Sequence, residues 1–284
     1  MTDTSIVADW YNKNTDLEHT RLISCGLEFA VSLQIILQCI DQMRRAGAEP
    51  REVLDLGGGT GRYAVELAKL GFSVTLVDIS RSELELAAAY AAESKVQLHK
   101  IILEDARLIR GNSEIFRESH YDIVLCQGPL YHLLKETERV EVLRSCAAVT
   151  KNDGYVIAAF VTKFAHLRNM ACRVPARLVQ EAAFYETYVH DGWYTRRPDN
   201  VGYHVDAKEL RGLFGKVRDP DLLVERVVAC EGFLGGGLSA TIIRSGKHVF
   251  EKWVQLVMDS AEHEEVLGAS DHLLVVAKRG RLRV

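Results

Sequence analysis

Apolar and polar positions alternate along this chain in two rhythms. Near the amino end, Leu22, Ile23, Leu27, Phe29, Ala30, Leu33, Ile36, Leu37 and Ile40 recur at three- and four-residue intervals, the spacing of an amphipathic helix, until Arg44-Arg45-Ala46-Gly47 closes it. A continuous apolar run, Val53 to Leu56, then breaks into glycines and resumes as Tyr63, Val65, Leu67 and Leu70. That pattern predicts a strand, a tight turn and a helix from Arg62 to Leu70 that stops at Gly71. Apolar runs at Val74 to Ile79 and Val96 to Leu103 predict strands two and three. Between them Ser82 to Ala92 is a strong helix former, and the hydroxyls of Ser80 and Ser82 suit an N-cap. Strands four and five are expected at Tyr121 to Cys126 and Gly154 to Phe160, strand six at Leu222 to Cys230 and strand seven at His272 to Lys278, with a helix around Lys247 to Met258 before the last. Strand and helix alternating in this way require a parallel sheet with helices on both faces.

Between strands five and six the rhythm is interrupted by residues 163 to about 215, which concentrate Phe184, Tyr185, Tyr188, His190, Trp193, Tyr194, Tyr203 and His204 together with Arg168 and Met170. Single aromatics are most often packing. Their concentration on an insertion at the ligand edge of the sheet predicts a lid, largely helical through Ala165 to Tyr188, that excludes water and sets specificity through residues such as Arg168, Tyr188, Tyr203 and His204. Arg196 to Gly202 reads as a mobile loop, and Gly235-Gly236-Gly237 as a flexible one. His272 either faces the pocket or caps the sheet edge, the second being favoured.

The chemistry starts at the glycines. In a strand–turn–helix they let the backbone take angles a side chain resists and let a ligand lie against the main chain. About twenty residues on, the second strand ends at Asp78, where a carboxylate can accept from both hydroxyls of a ribose. Together these describe a nucleoside pocket beyond the carboxyl ends of the strands. Gly59 to Ala64 fits the dinucleotide fingerprint with alanine in its third place. Read one step earlier, Asp55-Leu56-Gly57-Gly58-Gly59-Thr60-Gly61 is an acid followed by alternating glycines.

This second frame resembles motif I of the class I methyltransferases that use S-adenosylmethionine. The resemblance continues in order and spacing over roughly residues 50 to 162, with an acid after strand two (Asp78, followed by Ile79) and another after strand three (Glu104-Asp105-Ala106). A dehydrogenase would share only the first two features. The resemblance implies an α/β fold with a doubly wound, mostly parallel seven-stranded sheet, an N-terminal helical extension (1–47), a cofactor-binding core (48–162 and 216–284) and a lid (163–215). It implies that Asp55, Gly57, Gly58 and Gly59 border the amino-acid part of S-adenosylmethionine, that Asp78 and Ile79 meet its ribose, and that Glu104, Asp105 and Ala106 meet its adenine. After strand four, Gln127-Gly128-Pro129-Leu130-Tyr131-His132 departs from the Asn/Asp-Pro-Pro-Tyr of enzymes acting on nucleobases or glutamine. It looks like the variant of small-molecule methyltransferases, so Gln127 is expected to present its backbone near the methyl, and Tyr131 and His132 to begin the next helix and handle the acceptor. In similar enzymes an N-terminal segment folds over the cofactor, which makes Tyr11 and Arg21 candidate contacts; a surface ion pair between Glu18 and Arg21 is the alternative. The same motifs also suit a protein that binds S-adenosylmethionine without transferring its methyl group.

Composition narrows the partners. With 284 residues, 48% hydrophobic, 26% charged and a net charge of −4, the chain gives no electrostatic reason to bind nucleic acid, and Lys278-Arg279-Gly280-Arg281-Leu282-Arg283 is its one dense basic cluster, read as a solvated terminus. No apolar run approaches the ~20 residues of a membrane helix. Met1 to Asp9 lacks a signal-peptide pattern, and scattered cysteines without a close pair fit a reducing compartment, so the cytoplasm is expected. No metal-ligand spacing such as HExxH is present. Nothing in the sequence speaks to oligomeric state.

Overall fold

In the computed structural model the described residues are 3–24, 26–198 and 200–280, with side chains described for all of these except 16–24 and 200. Arg21 and Glu18 therefore lie outside the described side chains. The elements in chain order are helices α1 (Thr4–Ser24) and α2 (Gly26–Arg45), then β1 (Glu52–Leu56), α3 (Arg62–Lys69), β2 (Ser73–Asp78), α4 (Arg81–Glu93), β3 (Lys100–Leu103), β4 (Tyr121–Cys126), α5 (Glu136–Val149) and β5 (Thr150–Val161). The insertion holds α6 (Lys163–Arg173), α7 (Arg177–Gln180), α8 (Ala182–Asp191), β6 (Trp193–Arg197) and β7 (Asn200–Tyr203). After it come α9 (Leu210–Phe214), β8 (Leu222–Ala229), α10 (Ser239–Ile243), α11 (Lys247–Ser260), α12 (Glu264–Leu267) and β9 (His272–Arg279).

Seven of these strands form one sheet in the order β3-β2-β1-β4-β5-β9-β8. The first five are parallel, and β9 runs antiparallel between β5 and β8. The order reverses between β1 and β4, where Val53, Leu54 and Asp55 face Ile123, Val124 and Leu125, and a crevice opens beyond the carboxyl ends of these strands. Because both faces are covered, the central strands are apolar on alternate sides: Val53, Ile123, Ile157 and Val276 pack with α2, α3 and α11, while Leu54, Val124, Val156 and Val275 pack with α5 and α9.

Local chemistry sets the boundaries. Ser80 caps α4 by accepting from the amide of Glu83, as its sequence position suggests. The third strand is shorter than expected, four residues from Lys100: Lys95 adopts a positive φ in the turn that ends α4, and Val96 to His99 lie outside the strand. Tyr131 and His132 sit in a short 3-10 turn, and the following helix waits until Glu136. Where a mobile loop was expected at Arg196 to Gly202, Trp193–Arg197 and Asn200–Tyr203 pair as a two-stranded ribbon, with Trp193 opposite Tyr203 and Tyr194 opposite Gly202. Helix α1 is interrupted at Asn14 and lies against α4: Asn12 Oδ1 accepts from the hydroxyls of Ser80 and Ser82, 2.9 and 3.0 Å away.

Candidate functional site

The glycine turn between β1 and α3 is built around close contacts. Gly57, Gly59 and Gly61 have φ of +72°, +53° and +75°, so a side chain at any of them is strained. A Cβ on Gly57 would also stand 2.5 Å from Pro129 Cδ, and one on Gly58 2.4 Å from Leu76 Cδ1. The turn is thus locked onto the loop after β4 on one side and onto the core on the other. The amide of Gly57 donates to Val77 O (2.7 Å) and that of Gly59 to Asp78 Oδ2 (2.9 Å), which holds the turn over the end of β2.

A cavity of about 160 Å³ lies on this turn. Asp55, Gly57, Gly58, Gly59, Asp78, Ile79, Glu104, Asp105, Ala106 and Gln127 all line it, as do Tyr131 and His132, and Val7 and Tyr11 of α1 cover it. Every cofactor residue expected from the sequence, Arg21 aside, is brought together here. Asp78 Oδ1 accepts from the Ser80 amide at 2.9 Å while burial raises its pKa against the pull of the Ser80 and Gly59 amides. Glu104 accepts from the Asp105 amide and from the Asn112 side chain. Asp105 is paired with Arg107 at 2.7 Å and accepts from the Thr4 hydroxyl at 2.7 Å; burial opposes its ionisation, but the Arg107 and Thr4 hydrogen bonds keep its pKa below the usual value. Through Thr4, helix α1 is fastened directly to the end of β3.

Several polar atoms at this cavity are buried without a hydrogen-bond partner: both oxygens of Asp55, Thr60 Oγ1, and the side-chain amide of Gln127. Such groups are costly to leave unsatisfied and point to a polar ligand. Burial first, and the nearby Asp78 second, push the Asp55 pKa up to about 7; the Ala64 amide offsets this slightly without reaching hydrogen-bonding geometry. Among the described lining residues the acids Glu28, Asp55, Asp78, Glu83, Glu104 and Asp105 outnumber the one arginine, Arg62. An excess of carboxylates repels a pyrophosphate and attracts a cation, which sets aside the dinucleotide reading and suits a sulfonium with an ammonium. Cradle, orphaned acceptors and charge all fit S-adenosylmethionine.

The lid residues singled out from the sequence are elsewhere. Arg168 Nη2 reaches Asp271 Oδ1 at 2.6 Å and Ser270 O at 2.7 Å, tying α6 to the segment before β9. Tyr188 is buried, its hydroxyl donating to Lys163 O and 2.5 Å from His204 Nδ1, and His204 stacks on Tyr194. Tyr203 donates to Glu209 at 2.6 Å beneath the Arg139 guanidinium. None of these four lines the cavity; the insertion is large enough to need a core of its own, and its aromatics supply it. His272 departs in the opposite direction: β9 is an interior strand, and His272 lines the cavity, with Nδ1 2.6 Å from Glu231. Sequence reasoning also passed over Thr4, Glu28, Thr60 and Tyr63. Thr60 was within reach, since it lies inside the glycine motif; the others reach the cavity only through tertiary packing.

Fold and site together define an open, doubly wound α/β sheet with a carboxylate-lined cavity beyond the carboxyl ends of its strands. More particularly, residues 53–154 match the family described as Methyltransferase domain. The chain is 29% identical over 130 residues to a ubiquinone biosynthesis O-methyltransferase of Shewanella pealeana, which covers 45% of this chain and 50% of that protein. It thus spans about half the length of the relatives it matches. Its fold resembles that of a magnesium protoporphyrin IX methyltransferase from Synechocystis PCC 6803 solved with bound S-adenosylhomocysteine, with a TM-score of 0.57, 16% identity and coverage of 98% of this chain and 100% of that one. It also resembles the 1,6-didemethyltoxoflavin-N1-methyltransferase of Burkholderia thailandensis, with a TM-score of 0.57, 14% identity and coverage of 98% and 89%. The chain has the fold of the class I S-adenosylmethionine-dependent methyltransferases, and its residues 53–154 match the methyltransferase-domain family.

Proposed function

We propose that this protein transfers the methyl group of S-adenosylmethionine to a hydroxyl of a small, largely apolar acceptor, leaving S-adenosylhomocysteine. The carrying observation is the glycine turn ringed by carboxylates, with the oxygens of Asp55 and the amide of Gln127 buried and unmatched by the protein. A hydroxyl acceptor is supported by the name of the similar Shewanella protein. When bound, S-adenosylmethionine supplies a methyl group already activated by its positive sulphur.

The residues do the rest by holding and excluding. Asp78 keeps lone pairs for the ribose hydroxyls beyond those used by Gly59 and Ser80. Asp55, Thr60 and Gln127 satisfy polar groups of the amino-acid part, and Ala106 with Glu104 and Asp105 borders the base. Tyr131 and His132 orient the acceptor, while α1 covers the donor and the insertion steadies His132 from behind through the Val201 carbonyl. Alignment of this kind can lower a barrier by about 7–11 kcal/mol in favourable cases. An acceptor of low polarity suits the Val7, Tyr11, Pro129, Leu133 and Ala159 walls. Among the described residues no helix is long and apolar enough to cross a membrane. The buried thiols of Cys39, Cys126, Cys146 and Cys230 suit the reducing cytoplasm.

The test is calorimetric titration with S-adenosylmethionine, followed by incubation with a panel of phenols and catechols and detection of S-adenosylhomocysteine by mass spectrometry. Binding with product release supports the proposal. Binding without release on any acceptor would leave a cofactor-binding protein, and no binding would overturn the reading.

A further inference from the structure

The carboxylate that follows β3 is engaged on every side by the protein's own groups. Asp105 Oδ1 accepts from the Arg107 amide at 2.9 Å, and Arg107 Nε is shared between Oδ1 and Oδ2 at 3.2 and 3.1 Å. Oδ2 accepts from Arg107 Nη2 and from the Thr4 hydroxyl, each at 2.7 Å. These donors fill the roughly four lone-pair positions of a carboxylate, so Asp105 has none left for the amine of a base. The Thr4 hydroxyl is equally committed, since it gives its one proton to Asp105 and accepts from Arg107 Nη2 at 2.5 Å. Arg107 Nη1 also reaches Glu138 of α5 at 3.4 Å, which roots the group in the core.

The element fastened here is lightly held elsewhere. Among the described side chains of α1 only Val7 is buried, and the helical angles break at Asn14, with φ −120° and ψ 19°. The segment from Thr4 to Lys13 is therefore a short cover with one apolar anchor and polar fastenings: Thr4 at Asp105, Tyr11 at His132, and Asn12 at Ser80 and Ser82. Two helical turns, about 10 Å, separate Thr4 from Tyr11, and Val7 lies between them on the cavity. A segment with so few buried apolar contacts is among the first parts of a protein to open.

We propose that Thr4, Arg107 and Asp105 are positioning residues that latch this cover, and that the latch sets how fast S-adenosylmethionine enters and S-adenosylhomocysteine leaves; this rests on the methyl-transfer reading above. Lifting the segment must break both contacts of the Thr4 hydroxyl. Every partner in the latch belongs to the protein, so it stabilises the closed segment alike in the free and the loaded form. Weakening it speeds entry and exit together and leaves affinity unchanged. A residue that gripped the donor itself would behave otherwise, because its loss raises the exit rate alone and weakens binding.

The experiment follows S-adenosylhomocysteine by stopped-flow fluorescence, with Trp10 on the segment as reporter, and by calorimetry. Thr4→Val keeps the shape and removes the hydroxyl: association and dissociation should both quicken about tenfold, with Kd within about threefold of wild type. Thr4→Ser restores the hydroxyl and should restore both rates. Amide exchange across Ile6 to Tyr11 of the free protein should quicken in Thr4→Val and not in Thr4→Ser. Unchanged rates and exchange in Thr4→Val would overturn the proposal. So would a Kd weakened about tenfold with association unaltered, which would place Thr4 on the donor. A wild type that binds no S-adenosylhomocysteine would remove the methyl-transfer reading, a result told apart because failure of the latch leaves wild-type binding intact.

Discussion

Tyr11 and His132 meet at 3.0 Å although 121 residues separate them in the chain. The other ring nitrogen of His132 lies 3.2 Å from the carbonyl of Val201 in β7. One imidazole therefore joins the N-terminal helix and the loop after β4, which line the cavity, to the ribbon of the insertion, which packs behind His132 without lining it. Tyr11→Phe removes one hydrogen bond and should lower turnover about tenfold, with cofactor affinity changing less. His132→Ala releases both α1 and the ribbon and should cost more. Steady-state kinetics beside calorimetry check this, and full turnover in both variants would show that the junction does not matter.

Asp78 is the one carboxylate placed at the end of β2 with both oxygens already oriented by amides. Replacing it by alanine removes the ribose acceptors and unfastens the Gly59 amide. Two hydrogen bonds to a charged group at about 1.5–3 kcal/mol each predict at least a hundredfold loss of S-adenosylmethionine affinity. An unchanged affinity by calorimetry would withdraw the ribose assignment.

The Asp55 carboxyl, pushed up to about 7 mainly by burial, gives a pH signature. The folded state keeps the proton that the unfolded chain releases near pH 4, so stability falls as pH rises from about 4 through 7 and is flat above. The penalty at pH 8 is on the order of 4 kcal/mol. Asp55→Asn should accordingly gain stability relative to wild type between pH 5 and 8, measured by urea unfolding at each pH. A cationic ligand favours the ionised form, so S-adenosylmethionine affinity should climb through pH 7 in wild type and not in the variant. A difference between the two proteins that is independent of pH would refute the assignment.

Inside the insertion, burial lowers His166 to about 4 and His204 to about 3, with the Arg196 charge adding to the first and His166 to the second. Both rings are neutral in the folded insertion while the unfolded chain protonates them near pH 6.5. Stability of this unit is complete above that pH and is lost as the pH falls toward 4. Hydrogen exchange of α6 and α8 should quicken between pH 7 and 5 more than exchange of β1 and β4. Uniform behaviour across the chain would count against it.

Arg168 should tether the insertion and take no part in chemistry. Its guanidinium holds Asp271 and the Ser270 carbonyl, and its stem lies so near Gly236 that a Cβ there would stand 3.3 Å from Arg168 Cβ. Arg168→Ala should speed proteolysis within 163–191 severalfold while leaving cofactor affinity intact. Loss of cofactor binding with unchanged proteolysis would reverse that assignment.

What the sequence showed plainly was whatever local periodicity controls. The strand tips and their glycines are contiguous motifs, so the glycine turn and Asp78 followed from pattern and spacing, the resemblance those motifs carry added Asp55, Asp105 and Gln127, and all reach one cavity. The insertion was legible as an insertion, but the use of its aromatics was not: a concentration of Tyr and His reads alike whether it lines a pocket or fills a small core, and only packing decides between them. His272 and Glu231 are 41 residues apart and on different elements, with no common motif, so their 2.6 Å contact exists only in the folded sheet. The pairing of β6 with β7 was hidden because Arg196 to Gly202 is rich in turn formers, which mark a hairpin as readily as a loop.

The most direct measurement of the central claim is a crystal structure grown with S-adenosylhomocysteine. The ribose hydroxyls should lie within hydrogen-bonding distance of Asp78, the amino-acid part against Gly57 to Gly59 near Asp55, and the base beside Ala106. Density for the compound elsewhere on the protein, or none at a saturating concentration, would contradict it.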